Sequence, residues 1–407
     1  MFEISTVLVL ALGTFAVGTD AFVVAGFLPA MANSLDVSEN AAGQSVTAFA
    51  VAYALAAPVS ATLTARLPRR GLLIGALLVL AAANLGSALA PNLPVLILTR
   101  VGAAVGAAAF TPNAGAVGAA LVRPELRGRA LAVVIGGLTA ATALGVPLGT
   151  LIGRLATWRI ALGAVAGLCL AIAVAVRVVM PALPGTERVP LRARLAVLRR
   201  PGVLSVLPLT VLGMTAAYTA YAYSAPALAA VGVTGSAVAW MLVLYGAGAV
   251  LGNLWSGQAT DRRGPTWVLA ATYPVMAAAL ALLAGSAAGD PPRAVVGALL
   301  FGWGAASWAQ TPAQQHRLIE AAPQEVPLVV SLNSSAIYLG IALGTGIGGL
   351  ALEQGGTATM YGAGAAIAVA AWLFLLATTR RRDPVRISGA GKRSAAGGGA
   401  RHNVIHE

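Results

Sequence analysis

The feature that most constrains this chain is a succession of long apolar intervals running through nearly all of it. Stretches free of Asp, Glu, Lys and Arg cover residues 40–65, 71–99, 101–122, 130–153, 160–176, 201–260, 264–289, 294–316, 326–352 and 354–379. Ahead of them lies Ser5 to Ala32, interrupted by one charge. A helix crosses the hydrocarbon core of a bilayer in roughly 20 apolar residues. Cut at their proline, glycine and asparagine turn signals, the intervals give twelve such spans. A membrane β-barrel would need strands of ~10 residues with alternating polarity, and these Ala/Leu/Val/Gly runs do not alternate. The expected fold class is an all-α membrane protein with twelve transmembrane helices.

Charge supports this and fixes an orientation. Only 10% of the residues are charged, against roughly 25% in soluble domains. A net charge of +13 in a soluble chain would point to nucleic acid. Here the 26 basic residues gather on one side of the spans; Arg154, Arg159 and Arg293 fall on the other, and Arg100 within a span. That bias puts the basic side, and both termini, in the cytoplasm, and leaves no expected nucleic-acid partner. The first span lacks a basic leader and is too long for a signal segment, so it is read as retained. Cys169 stands alone in an apolar span and is read as packing. Arginine almost replaces lysine, with Lys392 the exception, as in GC-rich bacterial genomes. A bacterial plasma membrane is the expected location.

Two charges lie inside the bilayer. Asp20 is far from either end of its span, and an ionisable group at that depth is functional by default; the structural alternative is a carboxylate satisfied by the hydroxyls of Thr14 or Thr19. Arg100 enters span 4 about six residues from its end, ~9 Å at 1.5 Å per residue. It either pairs with Asp20 or a water cavity, or snorkels to the headgroups.

The second half of the chain repeats the first. Ala61 to Arg70 aligns with Gly257 to Thr266, Leu35 to Ser38 with Val231 to Thr234, Pro29 with Pro226, and Leu148 to Thr150 with Leu343 to Thr345. Two pseudo-symmetric six-helix bundles are implied, residues 1–180 and 202–380, joined by a basic proline-rich cytoplasmic linker at 181–201 and followed by a basic disordered tail at 381–407. A short surface helix is expected near Leu191 to Leu198. Parallel repeats of this kind place a substrate site at their interface near the midplane. Amides and aromatics at bilayer depth must face protein or water, which nominates Asn113, Tyr218, Tyr221, Trp303, Gln310, Asn333 and Tyr338 for the cavity, with interhelical hydrogen bonding as the alternative. Pro147 in span 5 suits a bending helix or tight packing, and Trp158 with Arg159 is placed at an interfacial belt.

At the paired loops the chain resembles a known family. Gly257-Gln-Ala-Thr-Asp261-Arg262-Arg263-Gly264 resembles the loop signature of the major facilitator superfamily. Arg100-Val-Gly-Ala-Ala-Val-Gly106 and Gly145-Val-Pro-Leu-Gly-Thr150 are similar to the helix 4 and helix 5 motifs of its drug:proton antiporter branch. Pro312 to Ile319 and Ser331 to Tyr338 resemble its arabinose-efflux and chloramphenicol-resistance transporters. The resemblance covers about residues 5–380. It implies a proton carrier at Asp20, a partner at Arg100 and an inner gate latch at Asp261 and Arg262, with Arg66 and Arg70 in the first copy. That first copy departs from the family pattern with Ala65 for its Asp and Pro68 for its glycine. The helix 5 motif has one residue more between Gly145 and Pro147.

The expected function is proton-coupled efflux of small, largely hydrophobic compounds such as antibiotics, by alternating access. A sugar or metabolite exporter, or a proton symporter, is the alternative. The chain has no nucleotide-binding Gly-Lys-Ser/Thr loop, paired metal-ligand motif or sizeable soluble domain. It is therefore read as no enzyme, with the proton gradient in place of a cofactor and the monomer in the bilayer as the working unit.

Overall fold

A computed structural model describes residues 2–123, 126–185, 192, 196–287, 289, 291–323 and 326–380. Helices α1 (Phe2–Phe22), α2 (Val24–Leu35), α3 (Glu39–Leu63), α4 (Arg69–Ala88) and α5 (Leu93–Ala120) build the first four passes. Next come α6 (Arg127–Ala140), a π turn (Ala141–Gly145), α7 (Val146–Leu155) and α8 (Trp158–Val179). The second half runs through α9 (Pro201–Leu204), α10 (Leu207–Tyr221), α11 (Ser224–Ala230), α12 (Ala237–Arg263), α13 (Pro265–Ser286), α14 (Arg293–Ala321) and α15 (Val326–Arg380). Among the described residues there is no strand. The expected linker helix lies largely, and the tail wholly, outside them.

Local chemistry sets the helix boundaries. Ser38, Asn92 and Thr157 each accept a hydrogen bond from the backbone amide three residues on, filling a donor that a helix start leaves open. The first pass is two helices rather than one: the chain breaks at Val23, and Phe27 is non-helical just before Pro29. In α15 the break is Gly356, at φ 71°, a conformation that costs an L side chain. The chain reverses there, since Gly348 and Gly364 both pack against Thr219 of α10, whereas on a straight helix they would lie ~24 Å apart. Among the described residues, ten helices are long and apolar enough to cross a membrane. Counting α15 as two passes and adding the more polar, 29-residue α14 gives twelve.

Without a hydrophobic drive between helices in lipid, small residues and close backbones hold such a bundle together. The first and fifth passes show how. Gly137 meets Ala11 and Thr14, Ala141 meets Gly18, Gly145 meets Thr19, Gly149 meets Val23 and Gly153 meets Phe27. On the fifth pass the rungs are four residues apart, and a Cβ at Gly18, Gly137, Gly145 or Gly149 would collide with the facing pass. The π turn lies within the ladder, immediately before Pro147. A π turn holds one residue more than an α turn, and across it the fifth pass advances from Ala141 to Gly145 while the facing contact moves only from Gly18 to Thr19.

The two halves meet along α3 against α15, α12 against the π turn and its flanking helices, and α2 against α11. Outward, side chains such as Leu55, Leu98, Leu155 and Val178 are exposed, as lipid-facing surfaces require. Trp158 departs from its expected place in an interfacial belt. It is buried, its Nε1 donating to Ser34 at 2.8 Å, because the end of α2 folds over the start of α8. The exposed Trp240 occupies the lipid-facing position instead.

Candidate functional site

Asp20 and Arg100 are fully buried and face each other. Nη1 of Arg100 donates to Oδ1 of Asp20 at 2.5 Å, and Nη2 to the Asp20 backbone carbonyl at 3.0 Å. Arg100 reaches inward to the carboxylate rather than toward the headgroups. Thr14 and Thr19, the alternative partners for Asp20, spend their hydroxyls on backbone carbonyls of Val134 and Phe15. The grip is incomplete: Oδ2 of Asp20 and Nε of Arg100 make no hydrogen bond. Each charge is the other's chief solvation in a low-dielectric interior, where an unpaired charge is far more costly than a paired one.

Aromatic rings connect this pair to the contact between halves. The Arg100 guanidinium lies 4.6 Å over the Phe49 ring. Phe49 packs beside Tyr53 and Tyr338, and these two stack across the interface at 3.6 Å between centroids. Two residues beyond Asp20, Phe22 packs against Tyr218, Tyr221 and Trp308 of the second half. Further out, Asn40 donates to Glu353 across the halves at 2.6 Å, and Tyr223, whose hydroxyl donates to the Thr345 carbonyl within the second half at 3.1 Å, packs against Gly43 of the first. The end of the bundle opposite the arginine-rich loops is thus closed across both halves.

Toward the basic end the halves part around a cavity. Its roof is Phe22, Tyr53, Tyr218 and Tyr338, and its walls descend past Pro112, Leu131, Gln315 and Asn333. Three expected cavity residues, Tyr218, Asn333 and Tyr338, line it; four do not. Tyr221 and Trp303 lie within a buried aromatic cluster with Tyr245. Gln310 is turned into the second half, donating to the Ser307 carbonyl and accepting from Tyr273. Asn113 accepts from Arg69 at 2.7 Å. For these four the interhelical reading describes the contacts. Phe22, Phe49 and Tyr53 were missed, although a tyrosine at mid-span carries the same signal that nominated Tyr218.

The expected latch residues are dispersed. Asp261 and Arg262 are exposed at the basic end of α12, Arg66 is exposed, and Arg70 donates to the Met180 carbonyl. No ion pair joins the halves at that end among the described residues. Pro147 is buried in the first turn of α7. Among the described residues no cluster of His, Cys, Asp or Glu could hold a metal ion.

Comparison with known proteins follows the same lines. The family model described as Major Facilitator Superfamily matches residues 10–230 and 206–404. The inner membrane transport protein YdhP of Escherichia coli K12 is 34% identical, over 92% of this chain and 96% of that protein. A chloramphenicol resistance protein of Streptomyces lividans is 35% identical, over 89% and 93%. The crystal structure of a D-xylose-proton symporter superposes with a TM-score of 0.77 at 16% identity, covering 92% of this chain and 97% of that one. With its twelve passes and both sequence matches extending over nearly its whole length, the chain is an integral membrane protein that belongs to the Major Facilitator Superfamily.

Proposed function

We propose that this transporter expels small, largely apolar compounds from a bacterial cell in exchange for protons, alternating between two packings of its halves. The observation that carries the reading is the sealed Asp20–Arg100 pair, joined through Phe22 and Phe49 to the rings that close one end of the bundle. The arginine-rich end is taken as cytoplasmic by the charge bias of its loops. On that assignment the state described above faces inward, with its cavity ready for cargo from the cell.

Ionised Asp20 holds Arg100, and Arg100 lies flat on Phe49. A proton added at Oδ2 displaces no hydrogen bond, since that oxygen has none. It does cancel the charge that oriented the guanidinium. Arg100 is then the unpaired charge, and the packing that paired it is no longer favoured. Proton and cargo need not touch: they need only bias the same equilibrium in opposite senses. The separation of the pair from the cavity wall supports this indirect scheme.

The test is transport of labelled chloramphenicol in proteoliposomes under an imposed pH gradient, comparing the native chain with Asp20→Asn. Gradient-driven accumulation should vanish while passive exchange persists. Undiminished accumulation by the variant would remove Asp20 from the mechanism. A sugar exporter is the second reading, and labelled arabinose in the same vesicles separates the two. The few amides on a mostly apolar wall favour the first.

A further inference from the structure

Resting on the transport reading above, we infer that the central cavity binds an uncharged amphipathic molecule in a fixed orientation. Its hydrogen-bond acceptors lie on the second-half wall and its apolar face on the first-half wall. The inference begins with an asymmetry between the repeats. Thr111-Pro112 in α5 and Thr311-Pro312 in α14 are matching steps of the two halves. Three residues past each proline the first half has Gly115 and the second has Gln315, and both positions line the cavity.

The rest of the wall keeps that division. Pro112, Gly115, Leu131, Ile135 and Leu138 make most of the first-half side apolar; Tyr53 and Thr111 are its polar groups, and among its described residues it carries no side-chain amide. The second-half side presents Tyr218, Thr311, Gln315, Asn333 and Ser334. Several of these groups have no protein partner. The Tyr218 hydroxyl is buried yet makes no hydrogen bond, and the same holds for the Thr311 hydroxyl. Asn333 is fixed by its oxygen, which accepts from Thr210 at 3.3 Å, so its amide nitrogen is left to donate. A tyrosine O–H and an amide N–H2 on one wall call for acceptor oxygens such as carbonyl, nitro or ether groups. A buried donor without a partner is destabilising, and a ligand acceptor relieves it.

The wall also discriminates by charge. None of its described residues is Asp, Glu, Lys, Arg or His. A cation moved there would lose its hydration and gain no counter-charge. The Asp20 carboxylate is no substitute, because it lies behind the roof and is held by Arg100.

Binding to purified protein without any gradient tests this, read by the saturable change in tryptophan fluorescence, to which Trp308 in the cavity wall contributes. Chloramphenicol, neutral and bearing acceptors, should quench saturably; tetraphenylphosphonium, apolar and cationic, should not. Tyr218→Phe keeps the ring against Phe22 and removes only the hydroxyl; Asn333→Leu keeps the volume and removes the amide. Each should weaken chloramphenicol binding about tenfold. Should Asn333→Leu lose its fold by melting assay, Gln315→Gly replaces it, since that side chain bonds to nothing in the protein.

Saturable tetraphenylphosphonium binding of equal strength overturns the inference. So does an unchanged affinity in the variants, or a native chain that chloramphenicol does not saturate. No proton movement enters the measurement. If Asp20→Asn still transports, the coupling reading fails while this result stands, and the reverse combination is equally readable.

Discussion

At the scale of single residues, the two intramembrane charges exist on each other's terms. Truncating one strands the other: Arg100→Ala should destabilise the protein by ~3–5 kcal/mol, the usual cost of breaking a buried pair from one side. Asp20→Asn with Arg100→Gln, which removes both charges, should recover most of that loss. Thermal melting in detergent measures both, and equal melting of the single and double variants would contradict the pairing. Asp20 and Arg100 were legible in the sequence because charges are rare in apolar spans. The roles of Tyr221, Trp303, Gln310 and Asn113 were not, because composition shows that a polar group must find a partner at bilayer depth but not which way its helix face turns.

At the scale of elements, most of the passes were readable from apolar intervals and turn residues, and their breaks were not. Val23 carries no breaker signal. The π turn at Ala141–Gly145 is visible only once the glycine ladder is seen against the first pass. Gly356 is a different case: it sits at φ 71° with open space where a Cβ would go. Gly356→Ala therefore has strain as its only penalty, ~1–3 kcal/mol, because its ψ of −169° puts it in a positive-φ region essentially reserved for glycine. Denaturation should show a loss of that size with the fold intact; a much larger one would mean that the reversal depends on contacts absent from this state.

At the scale of the whole molecule, the two halves are joined at one end and parted at the other. Cysteines at Asn40 and Glu353, whose side chains meet at 2.6 Å, should react with a short bis-methanethiosulfonate, which joins them through disulfides, and freeze this state. Transport would stop and return on reduction, and the native Cys169, being buried, should not interfere. Continued transport by the linked protein would mean that this end need not open. The duplication itself was legible from paired loops and prolines. Which end would be shut was not, because both packings draw on the same residues and differ by little free energy.

The acid that would take up the driving ion stands behind the roof, one layer of rings away from anything a cargo molecule touches. In the proposed scheme, engine and hold are separate compartments. Under that scheme, substitutions that reshape the hold would alter what is carried while leaving the engine unaltered.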